Sequence, residues 1–462
     1  ANPDYPNTHY AIALTNYNDQ DYKRAFDSSL KAIGLLNKED GIYTHVYNLL
    51  VDSAKQYAKE YDAFKTLKAF IKELEEECGK KIEIQDDTEI QTAAKIEFSE
   101  NYNRAYHLVK YNPSYSAIEH LILHELMHLK LVNEARKDDN NDLFISNNSH
   151  EKKFNNSLTK FKQTLSKKGV KGGNINNYIS ALFEGLNRQV YNTPIDLFIE
   201  SRIFNQFEEL RPFQLLSLKT IIDEGINAAT KKDVIEFSPS QIISKSKIYN
   251  LTMSLEFKDL FGIDLTHQHN PTKVELKTAR DFYNEFLEYL DDKEAGEEYE
   301  LVIHWAEDLG LDNYFELIPE KKYREKNVDD TIEEIMSSNA DFEYLDSSQE
   351  RKMNKFLDEH SSGDLNKAVL MYMISAIERL NGKSKSEIKS IAFEFATLGM
   401  SGIDPQKKGY KVDSFRNESF SGYKALAFYY VSWAMGIPDM LSQIQLPFDK
   451  EYELAKSLTQ KT

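Results

Sequence analysis

The sequence predicts a mainly α-helical protein with one small β-sheet. Most segments of the 462-residue chain repeat apolar residues at three- and four-residue spacing, the period of an amphipathic helix. Strand-like alternation is scarce and is clearest in AYHLVKYNP, Ala105–Pro113, where Tyr, Val and Leu precede a terminating proline. The length favours two to four domains over a single one.

Composition excludes two classes of partner. The formal net charge of −18, from 75 acids against 57 bases, repels phosphate groups, and no basic block interleaved with aromatics offsets it. We therefore expect no nucleic-acid binding. No run of eighteen apolar residues occurs, so we also expect no membrane span.

The cysteine content bears on the compartment. Cys78 is the single cysteine, which excludes an internal disulfide and a cysteine-based metal cage. The first residues, ANPDYPNTHY, show neither the charged nor the apolar part of a signal peptide, which is either absent or already removed. A cytoplasmic location is the preferred expectation, and a periplasmic or secreted one stays open.

The first 80 residues predict a helical region that contains two similar segments. YNDQDYKRAFDSSLKAIGLL is followed by YAKEYDAFKTLKAFIKEL, and Lys31-Ala32 of the first segment corresponds to Lys68-Ala69 of the second, 37 residues later. Small residues where helices cross, flanked by aromatics, resemble tetratricopeptide repeats, whose period is about 34. The resemblance implies a surface for a protein partner. The alternative is a plain helical hairpin packed on the next domain.

The segment SYSAIEHLILHELMHLKLVNEARK predicts a long helix after the strand. Ser116 followed by Glu119 has the spacing of a capping box, which would begin the helix near Ala117. The helix is apolar around three titratable residues, and burying those is costly unless a cation compensates them.

Those three residues form the motif HELMH. His124 and His128 lie one helical turn apart on the same face, so both can bind one ion. Glu125 is rotated by about 100° from His124 and can act as a general base on water. His120 lies one turn further upstream, but three histidines on one straight helix cannot surround a single ion. We therefore interpret His120 as a supporting or core residue.

A strand, a short turn and then an HExxH helix resemble the catalytic domains of zincin metallopeptidases. In the gluzincin branch the third zinc ligand is a glutamate on a later helix, commonly with a carboxylate four residues away that orients a histidine. The segment NTPIDLFIESRIF resembles this arrangement, with Asp196 and Glu200 on a helix predicted from Pro194 to about Glu209 and capped by Thr193. The branch with HExxHxxGxxH is not favoured, because Leu131 stands where the glycine is needed.

Three residues remain open as the third ligand. The order Asp then Glu is reversed from the usual one, and Glu200 is preferred because its side chain is longer. Asp196 is the first alternative. His150, in SHEKKFNNSLTKF, is the second, because this segment resembles the later histidine of SprT-like zincins. A surface salt-bridge role for both acids is the remaining interpretation.

The resemblance implies a zinc-dependent metallopeptidase that hydrolyses a peptide or protein substrate. Zn²⁺ would be bound by His124, His128 and Glu200, Glu125 would be the catalytic base, and Ala105–Pro113 would be the edge that pairs with substrate. The alternative is a non-catalytic helical-repeat interaction or regulatory protein with a structural or vestigial zinc site.

The predicted organisation has three parts. They are a helical region at 1–80, a zincin-like α+β domain at 81–270, and a helical C-terminal region at 271–462 with a charged linker at about 319–364. In the last part, GYKALAFYYVSWAMGI is predicted to be core, including Trp433.

Overall fold

The computed structural model describes residues 5–90, 92–102, 104–325, 367–400, 402–405, 407–416, 418–444 and 446–459. The described chain is mainly α-helical, which confirms the predicted fold class, but it contains three small sheets of two or three strands instead of the one predicted sheet. It divides into two compact units. The N-terminal unit comprises the described residues up to Lys321 except Asn147–Ser149, and the C-terminal unit comprises Asn147–Ser149 with the described residues from Lys322 onward.

The elements are numbered along the described chain. The helices up to residue 325 are α1 Pro6–Asn18, α2 Tyr22–Gly34, α3 Tyr43–Glu60, α4 Ala63–Cys78, α5 Ile118–Lys137, α6 Asn148–Ser157, α7 Thr159–Lys167, α8 Gly172–Gln206, α9 Arg211–Thr230, α10 Lys232–Phe237, α11 Ser240–Phe261, α12 Lys273–Leu290, α13 Glu298–Asp308 and α14 Glu320–Glu325. The later helices are α15 Lys367–Leu380, α16 Lys385–Met400, α17 Gly422–Gly436 and α18 Asp449–Thr459. The strands are β1 Lys81–Asp86, β2 Ala94–Glu97, β3 Tyr106–Tyr111, β4 Asp142–Ile145, β5 Glu316–Pro319, β6 Lys408–Tyr410 and β7 Phe420–Ser421.

The N-terminal helices share a core with later parts of their unit. Phe26 of α2 and Val46 of α3 are fully buried in one cluster with Leu215 of α9 and Phe257 of α11. Amphipathic helices bury their apolar face against whichever partner covers it. The predicted boundary at residue 80 therefore does not separate two compact units.

The three-stranded sheet has the order β1-β3-β2. β3 pairs in parallel with β1 and antiparallel with β2, so the predicted strand at Ala105–Pro113 is confirmed but lies in the centre. Its prediction as the substrate-pairing edge is wrong, because both of its sides already carry ladder hydrogen bonds. Among the described strands, β2 is the edge beside β3 on the side away from β1.

The sheet packs one face on α5. Val109 of β3 is fully buried with Ile122 and Leu126 of the helix. Alternation along a strand places side chains of the same parity on one face, so Ile96 of β2, which pairs with Val109, faces α5 as well. The sheet thus holds β2 close to the predicted motif.

The helix α5 begins without the predicted capping box. Its N-cap is Ala117, in the left-handed region at φ 55° and ψ 50°, and no side chain caps it. Ser116 lies one residue too early to serve as the cap, and its hydroxyl is 3.3 Å from that of Thr220 instead. A non-glycine residue with this backbone costs about 1 kcal/mol, which the packing of α5 has to offset.

The helix α8 runs through the predicted break. Pro194 lies inside a 35-residue helix, where a break before it and an N-cap at Thr193 were predicted. Proline removes one backbone hydrogen bond and costs about 3 kcal/mol in a helix interior. Thr193, Pro194 and Ile195 are all buried, so packing compensates for this loss and keeps the helix continuous.

The predicted boundary at residue 271 also lies inside the N-terminal unit. Phe282 and Phe286 of α12 and Trp305 of α13 belong to the same core as α5 and α8. Of the predicted linker, the end of β5 and the helix α14 cover residues 319–325, and residues 326–364 lie outside the described residues.

The C-terminal unit has its own core. Phe395, Phe420 and Phe428 are fully buried and their ring centroids lie between 5.2 and 5.9 Å apart. Trp433 is 7% exposed and its indole N–H donates to the carbonyl of Ala392, which confirms that it is a core residue. In neither unit does a described helix combine the length and the apolar character that crossing a bilayer demands.

Candidate metal centre

Three histidines of α5 face two acids of α8, and each acid contacts two of the histidines. His120, His124 and His128 form a stripe along α5, because residues four apart share a helix face. Asp196 and Glu200 form the matching stripe on α8. Asp196 contacts the pair His124 and His128, while Glu200 contacts the pair His120 and His124. We call these five residues the histidine ladder.

Three donor atoms of the ladder form a nearly regular triangle. The two Nε2 atoms of His124 and His128 are 3.1 Å apart, and each lies 3.3 Å from Oδ1 of Asp196. A tetrahedral zinc ion with bonds of about 2.0–2.1 Å requires donor atoms about 3.3 Å apart. The triangle therefore has the size that zinc requires, and two imidazoles with a carboxylate are a donor set that suits this ion.

The oxygen atom in this triangle also requires a partner. Oδ1 of Asp196 is buried and makes no hydrogen bond of good geometry with any described residue. A buried carboxylate oxygen left without a donor is costly, and a cation relieves that cost. His124, His128 and Asp196 are the one group of side chains in the described residues whose ligand atoms lie close enough together to hold a metal ion.

Glu200 lies on the other side of His124. Its Oε1 is 2.7 Å from Nδ1 of His124, the ring nitrogen that points away from the triangle. Its Oε2 is 3.0 Å from Nε2 of His120 and accepts a hydrogen bond of 2.7 Å from the side-chain amide of Gln214. Glu200 is outside the donor triangle, so we revise the choice of third ligand from Glu200 to Asp196.

His150, the second alternative as the third ligand, does not lie in this donor group. Its Nε2 lies 3.3 Å from a carboxylate oxygen of Glu316, on β5. Its ligand atoms lie beyond the donor group of His124, His128 and Asp196. The structure therefore places the two acids of α8, and not His150, beside the histidines of the motif.

Glu125 lies next to the triangle without belonging to it. The backbone amide of Ile96, on the edge strand β2, acts on its carboxylate and favours the ionised form. Burial raises the pKa of Glu125, while His128 and His124 pull it downward. A carboxylate with a raised pKa exchanges protons more readily near neutral pH than one in water.

The electrostatics of the ladder favour a cation. Burial alone would lower the pKa of His124, but Asp196 and Glu200 raise it well above its usual value. Burial opposes ionisation of Asp196 as well, and the charge of His124 nevertheless lowers its pKa. The two carboxylates thus stabilise positive charge where the two imidazoles meet, whether a proton or a metal ion supplies it.

Three contacts of this site were missed in the sequence. Gln214 of α9 and Ile96 of β2 are unremarkable in sequence, and no motif marks either. Glu256 of α11 is 2% exposed, accepts a hydrogen bond of 3.2 Å from Ser201 and has a pKa raised well above its usual value, by burial first and then by Glu200. An acid between Leu255 and Phe257 was the available signal for this residue.

Comparisons of the chain with family models, with curated proteins and with solved structures found no match. The assignment of a function therefore depends on the residues and their geometry.

Proposed function

We propose that this protein is a zinc-dependent metallopeptidase, with His124, His128 and Asp196 as the zinc ligands and Glu125 as the general base. The observation that carries the proposal is the donor triangle of 3.1, 3.3 and 3.3 Å beside a carboxylate that is not part of it. The motif HELMH supplies both features, because its two histidines share a helix face while its glutamate is rotated away from them.

The number of donors favours a catalytic site over a structural one. Structural zinc sites are closed by four protein ligands, whereas catalytic sites have three and leave a position for water or substrate. The candidate group in the described residues contains three side chains. When bound at such a site, zinc lowers the pKa of water and polarises a carbonyl group.

The chain's own residues supply the proton transfer and the placement of the substrate. Glu125 would accept a proton from the attacking water and return it to the leaving amine. The backbone amide of Ile96 acts on its carboxylate. The same amide belongs to β2, whose other side is covered by β3. An extended peptide pairing with β2 would therefore lie beside Glu125.

The test compares Glu125→Gln with Glu119→Gln, a control on the same helix at a partly buried acid outside the donor group. We expect about one zinc per chain in native protein and in both variants, measured by elemental analysis. Hydrolysis of a mixed peptide substrate should fall by about 10²–10⁴-fold in Glu125→Gln, the usual contribution of general-base catalysis, and stay unchanged in the control.

Each other result has a defined meaning. Native protein without metal, or full activity in Glu125→Gln, would overturn the proposal. Native protein that binds zinc tightly but hydrolyses neither peptides nor casein would instead support the non-catalytic interaction or regulatory protein.

A further inference from the structure

His120 is a buried histidine outside the donor triangle. Its side chain is 1% exposed, and its Nε2 lies 3.0 Å from Oε2 of Glu200. Its Nδ1 is buried and has no hydrogen-bond partner among the residues that the structure describes. Because Glu200 needs a donor and a proton on Nδ1 would be left unpaired, the proton of the neutral ring lies on Nε2.

The contact from Glu200 to His124 determines which nitrogen of His124 is available for a metal. Nδ1 of His124 faces Oε1 of Glu200 at 2.7 Å, so the N–H lies on Nδ1 and donates to the carboxylate. This leaves the lone pair on Nε2, the atom that belongs to the donor triangle. A carboxylate behind a metal-binding histidine fixes both the tautomer and the plane of the ring.

Glu200 can do this only if its own carboxylate is held in place. Oε2 receives Nε2–H of His120 and the amide of Gln214, and the same amide also donates to the backbone carbonyl of Glu200. With both donors present, Oε2 is fixed and Oε1 is directed at His124. Without His120, one anchor is lost and the carboxylate gains freedom to turn.

We infer that His120 is a positioning residue of the metal centre, which acts on His124 through Glu200. The inference rests on the proposed zinc site. It accounts for the third histidine of the stripe, because a residue one turn before His124 is placed to bind the other oxygen of the same carboxylate.

The test measures zinc affinity by competition with a chromophoric chelator in four variants. His120→Leu removes the donor and should weaken zinc binding by about 10–100-fold, the usual effect of losing an outer partner of a ligand. His120→Gln places an amide N–H near the position of Nε2 and should bind within about threefold of the native protein. His120→Asn is an equally mild change whose amide is too short to reach Glu200, so it should behave like His120→Leu.

The fourth variant, His269→Leu, is the control for loss of a buried histidine. His269 is fully buried, and its Nε2 lies 2.9 Å from the hydroxyl of Ser254, outside the ladder. It should leave zinc affinity unchanged. Cobalt-substituted protein gives a second readout, because the visible absorption of Co²⁺ should change in His120→Asn and not in His120→Gln or in the control.

A double-substitution cycle shows whether His120 acts through Glu200. In a Glu200→Ala background, replacing His120 by Asn should cause no further loss of zinc affinity, since the link to His124 is already broken. Equal, additive losses in both backgrounds would overturn the inference. So would native affinity in folded His120→Asn.

Failure of this inference is distinguishable from failure of the proposed site. If native protein binds no zinc, the proposed function fails. If native protein binds zinc, His124→Ala abolishes the binding and the His120 variants leave it unchanged, only the role of His120 fails.

Discussion

Two polar clusters include residues of α5, and they differ in how the charges of their acids are compensated. The histidine ladder lies along the middle of the helix. Near its C-terminal end Arg136 binds Glu320 through two hydrogen bonds of 2.7 and 2.8 Å and lies 3.5 Å from Glu100, which also binds Lys80 at 2.7 Å. We call Lys80, Glu100, Arg136 and Glu320 the arginine cluster. Its two bases balance its two acids.

The pKa of a histidine differs between the two clusters. His107, fully buried on β3 near the arginine cluster, has a pKa lowered mainly by burial, which Glu100 opposes and Lys80 and Arg136 reinforce. His124 is partly buried, yet its pKa is raised because the carboxylates of Asp196 and Glu200 lie beside it. The lysine and the arginine of the arginine cluster add to the lowering of the pKa at His107, whereas the acids of the ladder favour positive charge at His124.

The acids of the arginine cluster show the same balance. Burial opposes ionisation of Glu100, but the hydrogen bond from Lys80 and the charge of Arg136 outweigh it and lower its pKa to about 2. Its charges are balanced within the chain, although Oε2 of Glu100 has no hydrogen-bond partner among the described residues. The five residues of the ladder include two acids and no lysine or arginine, and Oδ1 of Asp196 has no hydrogen-bond partner among the described residues.

The largest effect is expected from the acids of the ladder. Asp196→Asn removes a proposed ligand and should weaken zinc binding by at least about a hundredfold, because losing one ligand removes a large part of the binding free energy of a zinc site. Glu200→Gln keeps a hydrogen-bonding group behind His124 and should cost less, about tenfold. Chelator competition measures both. A larger loss in Glu200→Gln than in Asp196→Asn would return Glu200 to the ligand position.

This pair also shows where sequence reasoning reached its limit. Helical periodicity places the histidines of α5 on one face and the two acids of α8 on another. The sequence therefore indicates all five residues of the ladder. Side-chain length alone favours Glu200 over Asp196 as the third ligand. What decides the choice is the register of α8 against α5, which places Asp196 beside His124 and His128 and Glu200 one turn further along. A single sequence does not encode that register in any local pattern.

The misassigned elements have the same cause. Pro194 and Thr193 carry strong local signals for a helix start, but buried contacts along α8 override them. The strand β3 was recognisable from its own alternation, whereas its central position depends on β1 and on the four-residue strand β2. Pairing partners lie outside any local window, so the choice of β3 as an edge was open to error.

A second, smaller effect is expected in the arginine cluster. Arg136→Met leaves Glu320 and Glu100 without their shared cation and should reduce the free energy of unfolding by about 1–3 kcal/mol, the usual cost of leaving a buried acceptor without its partner. Zinc affinity should change less than about twofold, because no ligand or its partner is touched. Urea unfolding and chelator competition on the same sample check the two values. A zinc affinity that falls together with stability would contradict the separation of the clusters.

The smallest effect concerns pH and His107. A histidine in an unfolded chain has a pKa of about 6.5, and the pKa of His107 in the folded protein is lower. As the pH falls below 6.5, the unfolded state therefore binds a proton more readily than the folded state does. The stability that this residue contributes is complete above pH 6.5 and is lost as the pH falls below it. The loss has a slope of at most about 1.4 kcal/mol per pH unit, the value for one proton.

The variant that isolates this term is His107→Asn. Its side-chain oxygen can accept the hydrogen bond that Nδ1 of His107 accepts from the Ser99 amide, so the folded geometry has a partner while the titrating group is gone. Unfolding free energies of both proteins, measured in chelator from pH 7.5 to 5.5, should fall more steeply with acid in the native protein. All other residues are the same in both proteins, so their contributions cancel in the difference. Parallel curves would mean that His107 takes up its proton as readily in the folded state as in the unfolded state. Neither burial nor the arginine cluster would then lower its pKa.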